Sequence, residues 1–79
     1  PDTEVKKETI KVTDVRLATV GGETIVYITA EDHKVYKATL AKDETLILIR
    51  VGTMIEVNYE ETDHRQIRAI ISWGYPPQA

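Results

Sequence analysis

Two histidines, one serine and several close carboxylates are the side chains from which this chain could build chemistry. His33 follows Glu31-Asp32, and His64 follows Glu60-Glu61-Thr62-Asp63, so each imidazole stands beside oxygens that could in principle share a divalent cation with it. Neither run spaces its ligands so that they converge, and both read as solvated turns. Lys42-Asp43-Glu44 reads the same way, as a charged loop. Covalent catalysis needs a nucleophile with a base, and acid-base catalysis needs carboxylates whose environments separate their pKa values. Ser72 is the only serine, cysteine is absent, and Glu60 and Glu61 point to opposite sides of a strand end. The sequence therefore predicts no catalytic activity, no metal site and no cofactor.

A chain of 79 residues has room for one domain with a small core, and without cysteine its stability must come from packing rather than from disulfides or a thiolate zinc site. Ten basic residues stand against 13 acidic ones, a net charge of -3 that opposes general binding of polyanions by counterion release. The longest apolar run, Leu46-Ile47-Leu48-Ile49, stops at Arg50, far short of the roughly 20 residues that span a bilayer. Residues 1–8, mostly polar and charged, read as a linker or flexible segment. Residues 74–79 carry Pro76-Pro77, which cannot donate to a sheet, and read as a tail. The folded domain is then expected at residues 9–73.

What must position any functional side chain is a series of strands, because apolar and polar residues alternate with period two. Ile10, Lys11, Val12 and Thr13 alternate, the phase slips near Thr13-Asp14, and alternation resumes with Val15, Arg16 and Leu17, as a bulge in a long bent strand would make it. Gly21-Gly22 supplies the positive-φ pair of a tight hairpin. The second strand, Glu23 to Ala30, is rich in β-branched and aromatic residues. Glu31-Asp32-His33-Lys34 turns the chain into a third strand, Val35 to Ala41, and completes a meander. Lys42 to Val51 is open between helix, strand and loop, and a plug or short strand is favoured over a full helix. After Gly52, Ile55, Val57 and Tyr59 share one face of a fourth strand. In the fifth, Gln66 to Trp73, Ile67, Ala69, Ile71 and Trp73 are expected on one face and Arg68, Ile70 and Ser72 on the other. Val57 and Ile67 should both face the core.

This all-β order, with Arg50-Val51-Gly52-Thr53-Met54-Ile55-Glu56-Val57 leading into the fourth strand, resembles the OB-fold, a five-stranded, partly open Greek-key barrel. Thr53 stands where such domains often place an acidic residue. An SH3-like barrel is the alternative, and the length of the first strand argues for OB. The resemblance implies ligand binding on the face of strands two and three, which would put Tyr27, Lys34, Tyr36 and Lys37 near that surface. Rings there could stack bases while lysines meet phosphates. The competing structural reading makes Tyr27 and Tyr36 cross-strand partners that pack the sheet. Trp73 and Tyr75 invite a docking reading, against a plainer one in which Trp73 plugs the barrel mouth. Two functions follow. One is a non-catalytic protein-interaction or assembly module, an accessory domain of a larger extracytoplasmic or cell-envelope protein, in which a protein partner or self-association is favoured over nucleic acid. The alternative is an OB-type single-stranded nucleic-acid-binding domain.

Overall fold

The computed structural model describes residues 5–61 and 67–77, and within them the side chain of Ile67 is not described. Five strands, β1 (Val5–Val20), β2 (Glu23–Ala30), β3 (Val35–Thr39), β4 (Met54–Glu61) and β5 (Ile67–Gly74), form one sheet closed in the order β1-β2-β3-β5-β4. Every neighbouring pair is antiparallel except β3 and β5, which run parallel over three residue pairs from Val35↔Ile67 to Lys37↔Ala69. The ring is therefore uneven, with long ladders on β1 and a short closure. Among the described residues no helix is long and apolar enough to cross a membrane.

β1 makes closure possible because it changes partner part-way along. Val5 to Lys11 pair with β4, and Val12 to Val20 pair with β2. The change coincides with a register slip between Val12 and Asp14, the bulge expected from the lost alternation, and the Thr13 hydroxyl donates to the Thr29 carbonyl at 3.1 Å across it. At the same point Val12 leaves β4. Its N–H donates to Thr53 O at 2.9 Å and its carbonyl accepts from Gly52 N–H at 2.7 Å.

The residues read as a linker do not all behave as one: Val5 to Glu8 are the first rungs of β1, opposite Glu60, Tyr59, Asn58 and Val57. Their polarity misled because alternate residues here face either solvent or a polar end of the barrel, neither of which requires an apolar side chain.

The two hairpin turns that lie among the described residues form where their residues require, and the turn expected at Glu61-Thr62-Asp63-His64-Arg65 lies outside them except for Glu61. Gly21 and Gly22 sit at φ 59° and 83°, a pair of left-handed positions that twists with the flanking strands. In the second turn His33 adopts φ 70° while the Asp32 carboxylate accepts the Lys34 N–H at 3.1 Å, the local bond that makes Asp a turn residue.

Ile10 and Val12 of β1, Val26, Ile28 and Ala30 of β2, Tyr36 of β3 and Ile55, Val57 and Tyr59 of β4 line the interior at alternate positions. The ambiguous stretch after β3 is a 3-10 helix, Glu44–Leu48, capped by the Asp43 carboxylate accepting Thr45 N–H at 3.0 Å. It turns Leu46 into one end of the barrel, where Ile49 joins it, while Ile47 and Leu48 face solvent. A contiguous apolar run thus divides between plug and surface, as a 3-10 turn but not a strand permits.

β5 departs from the expected phase. Its register against β4 slips between Asn58 and Tyr59, so Tyr59 faces Ile70, Asn58 faces Ser72 and Val57 faces Trp73, leaving Ile71 in the slip. Arg68, Ile70 and Trp73 share the side of the β4 core residues, whereas Ile71 is 52% exposed. Strict alternation placed Ile71 inside and Arg68 and Ile70 outside. One extra residue reverses that assignment.

Candidate functional site

The four residues expected on one surface divide between two. Register decides it: Tyr27 lies opposite Lys37, and Ile28 opposite Tyr36, so Tyr27 and Lys37 face outward while Tyr36 points into the barrel with no exposed surface. Tyr36 is therefore corrected both as a stacking residue and as the cross-strand partner of Tyr27. Lys34 is at the end of the second hairpin turn, with its ammonium 3.5 Å from Asp32 and 3.8 Å from Glu8.

On the outer face one row runs straight across three ladders, Arg16 opposite Tyr27, Tyr27 opposite Lys37 and Lys37 opposite Ala69. A ring flanked by two cations can stack a planar group and neutralise an anion beside it. Arg16 is already engaged, its Nε donating to Asp14 Oδ2 at 2.8 Å. The row therefore offers one aromatic surface and one unengaged cation among the described residues.

In the interior of the barrel, around Tyr36, sits a second cluster. The Tyr36 hydroxyl donates to Glu8 Oε2 at 3.1 Å and the Tyr59 hydroxyl to the same oxygen at 3.3 Å. The two rings meet edge to face at 5.3 Å, and the Arg68 guanidinium carbon lies 5.9 Å from each ring centroid. Arg68 Nε is buried with no hydrogen-bond partner among the described residues, so the ring faces supply its electrostatic contact. Burial, then the Glu8 hydrogen bond and charge, push the Tyr36 phenol well above its ordinary pKa. Among the described residues the hydrogen-bond partner of the Tyr36 hydroxyl is the Glu8 carboxylate. At the rim, slight burial raises the Asp32 carboxyl, but the Lys34 amide and ammonium outweigh it and hold the group below its usual value.

Glu8, Tyr59 and Arg68 were not singled out as site residues from the sequence. The signal for Glu8 was its parity with Ile10 and Val12, two and four residues on. Arg68 had none, because the slip in β5 leaves no trace in the residue types.

At the Leu46 end, a groove of about 470 Å³ runs between the first hairpin and the 3-10 helix, lined by Gly22, Glu23, Thr24, Leu40, Glu44 and Ile47 among others. Two carboxylates and no cation line it, which suits neither phosphate nor nucleic acid. The remaining feature is an edge. Between Asp14 and Val20, β1 pairs with β2 on one side, and among the described residues nothing pairs with its other side. Leu17 and Val20 on that segment are 63% and 55% exposed. Among the described residues no group of three or more His, Cys, Asp or Glu that could hold an ion occurs, and His64 lies outside them.

Comparison with protein-family models, with curated proteins and with solved structures finds no match to this chain.

Proposed function

We propose that this protein is a non-catalytic binding module of the OB type, and that its ligand is protein rather than nucleic acid. The strand order β1-β2-β3-β5-β4, with a parallel β3-β5 closure and a first strand shared between β4 and β2, supports the OB reading over an SH3-like barrel. Fold alone does not choose the ligand. The observation that carries the choice is the open edge of β1 from Asp14 to Val20, where backbone N–H and C=O groups and the side chains of Leu17 and Val20 stand ready for an added strand.

The nucleic-acid alternative rests on the outer row of Arg16, Tyr27 and Lys37. With Tyr36 inside the barrel, a single ring is left to stack, and each stacked base contributes only about 1 to 3 kcal/mol. A net charge of -3 works against the rest of the required affinity. Titration with short single-stranded DNA and RNA at low and moderate salt, followed by Trp73 fluorescence and by a labelled oligonucleotide, is expected to show no saturable change. Saturable, salt-weakened binding that Tyr27→Ala abolishes would replace the protein-binding reading with the alternative.

A further inference from the structure

We infer that the open edge of β1 is occupied by the same edge of a second copy of this chain, paired antiparallel about a two-fold axis at Leu17. This rests on the protein-binding reading above and names the partner. The edge is bounded at both ends. At one the chain turns at Gly21-Gly22, and at the other the polar groups of Val12 are taken by Gly52 and Thr53. Beyond the bulge residue Thr13, these limits leave Asp14 to Val20 in regular register, with Leu17 at the midpoint.

A long foreign strand laid on this edge would run into the turn at Gly52-Thr53. A second copy does not, because its own open segment ends at its own hairpin turn. Centred on Leu17, Val20 of one copy reaches Asp14 of the other and the ladder stops there. Centred on Val15, Ala18 would meet Val12 of the copy, whose N–H and C=O are already bonded. Centred on Arg16, two guanidinium groups would stand directly opposite, which is unfavourable. Only the Leu17 register uses the whole edge without either conflict.

Side chains agree with it. Leu17 lies opposite Val26 on the core side of the hairpin yet is 63% exposed, so its apolar surface lacks a cover that Leu17 of the copy would supply. Val15 would face Thr19, Arg16 would face Ala18, and no like charges would be directly opposed. Each Arg16 is neutralised within its own copy by Asp14, so the segment is locally uncharged although the chain is not. The residues that commonly protect natural edges, lysine and proline, are absent from Asp14 to Val20. The resulting contact is isologous and closes as a dimer.

The chain contains no cysteine, so single cysteine variants report the register directly. Residues on the two-fold meet their own copy at Cα separations of about 4.5 to 5.5 Å, within the range a disulfide spans. Sedimentation equilibrium of the unaltered chain should give an average mass rising from monomer to dimer with concentration. Leu17→Cys should cross-link to itself under mild oxidation roughly tenfold or more faster than Val15→Cys, and than Ile71→Cys as an exposed control away from the edge, because pairing raises the local thiol concentration. Leu17→Lys should remain monomeric, with a melting temperature that does not vary with concentration and that equals the one the unaltered chain shows when too dilute to dimerise. A monomer at every concentration, or Leu17→Cys cross-linking no faster than either comparison, overturns the inference. Neither result bears on the oligonucleotide titration, by which the protein-binding reading itself stands or falls.

Discussion

Tyr36 has no exposed surface, and a buried hydroxyl that lost its hydrogen bond would destabilise the fold by the full cost of its desolvation. Glu8 prevents this at 3.1 Å, and the bond has a charged acceptor. Tyr36→Phe removes it while keeping the ring that packs edge to face on Tyr59, so a loss of about 1.5 kcal/mol or more is expected in denaturant unfolding at pH 7. The same residue gives a pH signature. Burial, with Glu8 after it, raises the folded pKa of the phenol above the unfolded value. Its contribution is then complete below about pH 10 and is lost as pH rises from there toward the folded value, since the unfolded chain ionises first. Tyr36→Phe lacks this loss, so the stabilities of the two proteins should converge as pH rises from about 10 to 12, by up to about 1.4 kcal/mol per pH unit. Unfolding midpoints that fall in parallel across that interval would show an ordinary tyrosine.

The elements owe their positions to two local irregularities, and each can be tested by an adjacent pair of changes. In β5 the register slip turns Ile70 inward against the core and leaves Ile71 at the surface. Ile70→Ala should destabilise by about 2 kcal/mol or more through lost apolar burial, while Ile71→Ala should stay within about 0.5 kcal/mol. Strict alternation requires the opposite ranking, so thermal unfolding of the two variants decides between a slipped and a regular strand. The other irregularity is the 3-10 helix that carries Leu46. Asp43 holds its first turn by accepting Thr45 N–H and the Thr45 hydroxyl, and the Thr45 oxygen in turn accepts Trp73 Nε1–H at 3.1 Å. Asp43→Ala should lower stability by about 1 kcal/mol and also shift Trp73 emission, since the plug and the end of β5 share Thr45. A stability loss with unchanged emission would mean that the cap and the indole are independent.

At the scale of the whole molecule, the five strands, both hairpin turns and the bulge in β1 were legible because they follow from turn chemistry and alternation, which act over a few residues. What was not legible depends on how strands meet. Tyr27 and Tyr36 lie on neighbouring strands, and the register across the Glu31 to Lys34 turn, which their residue types leave free, decides whether they share a face. Glu8 was invisible for a related reason: a charged residue at the start of a strand looks solvated until two tyrosines from β3 and β4 arrive beside it. The ring itself is a long-range property, because β1 serves two neighbours and only closure makes its first residues structural. That has a direct consequence for the boundary of the domain. A chain beginning at Thr9 would lose the rungs from Val5↔Glu60 to Glu8↔Val57, leave part of β4 as an open edge and strip Tyr36 and Tyr59 of their shared acceptor. Two hydrogen bonds to a charged oxygen alone represent at least about 3 kcal/mol, against a total of about 5 to 15 kcal/mol for a domain of ordinary stability. Compared with a chain beginning at Val5, the shorter one should show a markedly lower melting temperature by circular dichroism, with far-ultraviolet signal and Trp73 fluorescence lost together because β1 joins both halves of the sheet. Equal melting temperatures would return Val5 to Glu8 to the linker and make the two hydroxyl bonds to Glu8 dispensable to the fold.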